Sequence, residues 1–246
     1  MQQRHSQLKQ ERQKTVGKFV EWLREHNHPA LESVEKTYQA IKEKFTDPKT
    51  GKMNFTIFPS FYVMMDKLRE SKIPFTIILR TFGSDLDEVM KEIEEHPSGV
   101  KFSHQGKFNG PKLNIDGQGT LEKTIEIFDL ILSSDKHFAF QDDWSYWNQH
   151  QERGQFGKPF LYDLSGTSGT LGNLSLFFDD NVTGDEHLDI VHPCEIKGEV
   201  ISTKALCDRF IFPVNTMEAM LDDNYFIDRV MKALKGAESD RLEPVF

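Results

Sequence analysis

An α/β fold, with a mostly parallel sheet and helices on both faces, is what this sequence predicts. Three observations lead there. Residues 59–95 read as helix, strand, turn and helix in succession, the working unit of a parallel sheet. Asn173–Phe178 is an apolar run of one buried strand's length, closed abruptly by Asp179 and Asp180. Phe138-Ala139-Phe140 is a shorter apolar run, again closed by paired acids, Asp142 and Asp143. Such charges fall where the chain leaves a sheet, and in open α/β sheets ligands bind at the carboxyl ends of the strands.

In chain order, Met1–Lys14 is polar with almost no apolar face and reads as a frayed or disordered lead. Val16, Phe19, Val20 and Leu23 mark one helix face, which His28-Pro29 ends. Leu31, Val34, Tyr38, Ile41 and Phe45 mark a second helix, and Asp47–Asn54 is rich in turn formers. Pro59 suits a first helical turn, with Phe61, Met64, Met65 and Leu68 as the inward stripe. Phe75–Leu79 is β-branched and apolar, a buried strand that runs out at Arg80-Thr81-Phe82-Gly83. Ser84 is expected to cap the next helix, with Asp87 three residues on and Leu86, Val89, Met90 and Ile93 on one face.

Val100–Ile115 alternates in short runs, with turns expected at Gln105-Gly106 and Asn109-Gly110-Pro111. Thr120 is expected to cap a helix through Leu132, and an aromatic helix with Trp144, Tyr146 and Trp147 follows Asp142-Asp143. Gly154–Lys158 reads as a loop; Phe160–Tyr162, Leu188–Val191 and Phe210–Phe212 read as strands. Asp222-Asp223 lies in a helical pattern as a solvated face. Ile227, Val230, Met231 and Leu234 share one side of a long final helix, after which the last ten residues look loose. The organisation expected is a helical segment over residues 1–58 and an α/β core over 59–246, without internal repeats.

The formal net charge of −9 argues against nucleic acid as main partner, because phosphate backbones need a basic surface. A small phosphorylated ligand needs only a local positive pocket. Cys194 and Cys207 make neither a disulfide framework nor a metal-ligand spacing, which suits a reducing compartment. Without a secretory leader or a run long enough to span a bilayer, the expectation is a cytoplasmic protein with no membrane partner. Ser165–Gly172 is small and flexible but lacks the Gly-Lys-Ser/Thr ending of a nucleotide-triphosphate loop.

Three features stand in a meaningful order: an apolar strand ending in the hydroxyl of Thr81, a lysine at 158, and a strand ending in Asp179-Asp180. This order resembles motifs two, three and four of the haloacid dehalogenase-like (HAD) superfamily of phosphohydrolases. The resemblance implies a HAD-like Rossmannoid core with a small helical cap from the N-terminal third. It also implies that Thr81 and Lys158 hold a phosphate and that Asp179 and Asp180 hold Mg²⁺. Arg80 and the Gly83-Ser84 helix start would be auxiliary anion binders. The chemistry requires those types: a phosphoryl group needs donors and positive charge around its oxygens, and the metal needs carboxylates. Asp142-Asp143, with Lys123 or Lys136, is a competing metal pair. A plain polar turn is the alternative for Asp179-Asp180, and a surface lysine for Lys158.

The family's first motif, a strand ending Asp-x-Asp that supplies nucleophile and general acid/base, has no counterpart before Thr81. Asp47 and Asp66, the aspartates ahead of Phe75, fall in a turn and on a helix. The expectation is therefore a HAD-like protein that lacks catalysis as the chain stands and keeps a phosphate- and Mg²⁺-binding scaffold. The alternative is a Mg²⁺-dependent phosphohydrolase of a small phosphorylated substrate whose nucleophile strand is missing from this chain. A third class, an acidic scaffold that uses exposed aromatics such as Trp144 and Trp147, has less support, since i, i+3 aromatics more often pack into a core.

Overall fold

The computed structural model describes residues 18–46, 49–51, 57–162, 174–185, 189–195 and 202–242. The readings made for Met1–Lys14, Val16, Ser165–Gly172, Asn173 and Leu188, and for most of Asp47–Asn54, lie outside them. The chain divides into two compact units, residues 1–55 and 56–246. In the first, α1 (residues 18–25) is followed by α2 (Leu31–Phe45), and Arg24 pairs with Glu35 at 2.6 Å. Leu23, Ile41 and Phe45 are buried as expected, whereas Phe19 and Tyr38, assigned to the inward stripes, are exposed.

The second unit begins with α3 (Pro59–Glu70), which opens on Pro59 and buries Met64, Met65 and Leu68. The strand after it, β1 (Ile78–Thr81), starts three residues later than its composition predicts. The cause is local: Ile77 N–H donates to His137 Nδ1 (2.9 Å), so a side chain takes up a group that would otherwise extend the ladder. α4 (Leu86–Glu95) begins after Asp85, not Ser84. Gly83 N–H donates to Thr81 Oγ1 (2.8 Å) and Gln141 Nε2 to Gly83 O (2.9 Å), which holds the turn one residue longer than expected.

β2 (Phe102–Asn109) and β3 (Lys112–Ile115) pair through a two-residue turn with Gly110 at φ 58°, as such tight connections require. Gln105-Gly106 is no turn but the middle of β2. Gly106 is needed there because a Cβ would lie 2.7 Å from Asn114 O and against Leu113 and Phe140. Thr120 falls in β4 (Gly119–Leu121), and α5 (Thr124–Leu132) starts later, the Glu126 carboxylate accepting from the N–H groups of Glu122 and Lys123 just ahead of it. β5 (His137–Gln141) then pairs in parallel with both β1 and β2, giving the order β1-β5-β2-β3-β4 with antiparallel pairs only at β2·β3 and β3·β4.

After α6 (Trp144–Gln149), β6 (Lys158–Tyr162) and β8 (Val191–Glu195) form one parallel pair. β7 (Phe177–Asp179) and β9 (Ile211–Pro213) form another. Four of the six pairings among the described residues are thus parallel, as the sequence predicts for a mixed α/β fold. Lys158 opens β6 instead of lying in a loop. α7 (Thr203–Leu206), α8 (Thr216–Leu221) and α9 (Tyr225–Leu242) complete the described elements, and Asp222-Asp223 lies in the turn between the last two.

Three apolar clusters hold these elements together. α3, α4 and α9 enclose Met65, Ile93, Tyr225 and Ile227, and Leu79 of β1 and Phe178 of β7 both pack against them. α5 packs through Ile127 and Phe128; Ile127 meets Phe108, Phe138 and Phe140, and Ile78 joins that cluster. Strands β6 to β9 share a third cluster of Phe160, Tyr162, Phe177, Val191 and Ile211, joined by Phe82 and Trp147.

Candidate anion and metal site

The C-terminal tips of β1, β5 and β7 carry the residues in question. β1 ends on Arg80-Thr81, and β5 delivers Asp142 beside them, with Asp142 N–H donating to Thr81 O at 2.7 Å. β7 ends on Asp179, and the chain turns immediately, leaving Asp180 exposed. From the start of β6, Lys158 reaches Asp179 Oδ2 at 2.6 Å, and both side chains are under 10% exposed. The same ammonium stands 5.2 Å from the Phe82 ring centre, and Phe82 stacks on Trp147 at 5.3 Å. Lys158 therefore links the residue after Thr81 to the tip of β7.

These contacts join Lys158 to Asp179 and set it beside Phe82, the residue after Thr81; Arg80 is directed elsewhere. Its guanidinium clasps both carboxylate oxygens of Asp142, Nε at 3.1 Å from Oδ2, and donates through Nη1 to Pro159 O at 2.9 Å. It also covers the Phe108 ring at 4.6 Å. With Arg80 13% and Asp142 2% exposed, this is a buried tie between β1, β5 and β6. Bidentate arginine–carboxylate pairs are the strong, geometrically specific ones, so Arg80 acts as a brace for the rim.

The competing acids are committed. Asp142 is bound by Arg80, and Asp143 accepts from Tyr146 N–H (3.0 Å) and Gly110 N–H (3.0 Å), capping α6 and pinning the β2–β3 turn. All four oxygens of that pair are in use. Asp179 Oδ1 accepts from Asn181 N–H (2.9 Å), and Asn181 Nδ2 donates to Asp180 Oδ1 (2.9 Å), which folds the turn over the two acids. Among the described residues no group of three or more His, Cys, Asp or Glu is arranged to hold a metal ion, so Asp179 and Asp180 would need other oxygens to complete a shell. Thr81 Oγ1 accepts from Gly83 N–H and keeps its own O–H as a donor.

Trp147 lies half-buried on Phe82, while Trp144 is exposed. Sequence reasoning gave no role to Asp189. It is fully buried and accepts from Gly184 N–H (2.9 Å) and Ile190 N–H (2.8 Å), so it staples the loop after Asp180. Burial is the leading influence on its carboxyl group and pushes its pKa up, against the pull of those backbone donors. Its lone signal in sequence is an acid within the apolar run Leu188–Val191.

No known protein family, curated protein or solved structure matches this chain. No helix among the described residues is long and apolar enough to cross a membrane.

Proposed function

We propose that this chain is a HAD-like scaffold that binds a phosphorylated small molecule at the rim formed by Thr81, Lys158, Asp179 and Asp180, with Mg²⁺ as the accompanying ion, and that it performs no phosphoryl transfer unaided. The observation that carries this is the Lys158–Asp179 pair, drawn to the tip of the strand that bears Thr81. Lys158 has three N–H donors and gives one to Asp179, which leaves two for an anion; the Thr81 hydroxyl supplies a further donor. Asp180 offers an exposed carboxylate for a hard cation that the ligand's own oxygens would share. Among the described residues Asp142, Asp143 and Asp179 each already hold another group, which supports the reading without phosphoryl transfer.

A Mg²⁺-dependent assay with an aryl phosphate tests the catalytic half of this reading. The expected outcome is no turnover above buffer. Turnover that disappears in the Asp179→Asn plus Asp180→Asn variant would establish the phosphohydrolase alternative and remove the non-catalytic reading.

A further inference from the structure

We propose that the cleft at the start of β1 and β5 binds a small organic monocarboxylate with a flat, apolar body. The cleft lies at the opposite end of these two parallel strands from the rim at Thr81, so the inference is independent of any phosphate chemistry. Its volume is about 390 Å³, within the range of about 300–1,000 Å³ usual for small-molecule sites. Ile73 and Phe75, between α3 and β1, and Val100, ahead of β2, form an apolar wall that continues the α3–α9 core. Lys72 and Arg69 line the cleft from the end of α3, and His137 from the first position of β5. Among the described residues no carboxylate lines it, in a chain whose formal net charge is −9.

The cations set the charge of the ligand. Arg69 is committed: Nη1 donates to Ser98 O (2.7 Å), Nη2 donates to Gly99 O (2.8 Å), and Asp66 lies 3.5 Å away to share its charge. Lys72 is exposed and has no acidic partner among the described residues, so its charge and its three N–H donors are available. One uncompensated cation complements a monoanion and falls short of a phosphate dianion. Lys72 is also held in place at a cost. Its φ is 54°, and with Lys72 N–H donating to Arg69 O (2.9 Å) and Ile73 N–H to Leu68 O (2.9 Å) it takes the position past a helix end that glycine ordinarily fills.

His137 adds a neutral donor. Its Nδ1 accepts from Ile77 N–H at 2.9 Å, so the neutral ring carries its proton on Nε2, and that N–H has no acceptor among the described residues. Burial, with the Arg69 charge adding to it, lowers the ring's pKa from 6.5 and keeps it neutral at pH 7. A carboxylate has two oxygens, one for the Lys72 ammonium and one for such a donor. The remainder of the ligand is set by the wall. Ile73 and Phe75 stay half-buried against the core, and the Phe75 and His137 ring centres lie 5.9 Å apart, a surface suited to a flat apolar group.

Titration of the full chain with 3-phenylpropanoate, followed by calorimetry and by NMR shift changes, tests this. Saturable binding with a Kd below about 1 mM is expected, with the shifts centred on Ile73, Val100 and His137. The uncharged 3-phenylpropanamide and the small anion acetate should each bind at least about tenfold more weakly, one lacking the charge and the other the apolar body. Lys72→Gly should weaken 3-phenylpropanoate at least about tenfold while raising the urea midpoint, because glycine suits the left-handed position, and Lys72→Arg should retain binding. Absence of saturable binding, an amide that binds as well as the acid, or shifts centred elsewhere would overturn the proposal. So would unchanged binding in Lys72→Gly, or displacement of the probe by inorganic phosphate, which would make the cleft a site for anions at large.

Discussion

Lys158 carries an ammonium to a position only 6% exposed, where the loss of water is offset by Asp179 at 2.6 Å and the face of Phe82. Removing one partner strands the other. Lys158→Met should cost about 3–5 kcal/mol in urea unfolding, and adding Asp179→Leu to it should recover most of that loss. Additive losses in the double variant would show that the two do not act as a pair. Arg80 depends on shape as well as charge, since it bonds both oxygens of Asp142 and the Pro159 carbonyl. The position was legible as a cation after an apolar strand; its engagement with Asp142 was not, because that depends on the parallel register Arg80↔Phe140 between segments sixty residues apart. Cys194 lies where burial pushes its thiol up to about 11, so at pH 8 it should resist iodoacetamide in the native protein and react readily in urea. Comparable rates in both states would contradict that burial.

The elements most easily read were those whose side chains repeat with one period. α3 and α9 announced themselves by stripes that end inside the core, and β5 by three apolar residues that are fully buried. The misread boundaries share a cause: a side chain or turn competes with a backbone bond. His137 takes Ile77 N–H and shortens β1; Gly83 and Gln141 delay α4; Glu126 starts α5 after Lys123 and frees Thr120 for β4. Such contests depend on distant partners, so propensity alone cannot decide them. Asp143 is the clearest element-scale test, because one carboxylate caps α6 and holds the Gly110 turn. Asp143→Ala should lower stability by about 1–2 kcal/mol, with faster exchange at both Tyr146 and Gly110. A change confined to α6 would separate the two roles.

For the molecule as a whole, burial lowers the pKa values of His137 and His192 from 6.5, and the nearby Arg69 adds to the effect at His137. Both are therefore neutral in the fold and more readily protonated once unfolded. Below pH 6.5 the unfolded chain binds more protons, so stability falls as pH drops from there toward the depressed native values. The urea midpoint should accordingly decline on that acid side, and His137→Asn should flatten part of the slope while His192 keeps the rest. An unchanged slope would mean that His137 is not held neutral by the fold. At this scale the mixed, mainly parallel architecture was legible from strand–helix alternation, whereas the separation of the described parallel strands into three sheets was not. That separation is set by which backbone edges find partners, and composition carries no trace of it.

The account turns on whether the rim between Thr81 and Asp179 takes a phosphate with its cation. Calorimetric titration with inorganic phosphate, in the presence and absence of Mg²⁺, measures this most directly on the intact chain. The account predicts saturable binding that Mg²⁺ tightens, weakened at least about tenfold by Thr81→Val and made insensitive to Mg²⁺ by the exposed Asp180→Asn, as expected when one charge-assisted hydrogen bond or one ligand carboxylate is lost. No phosphate binding, or binding that both variants leave unchanged, would contradict it.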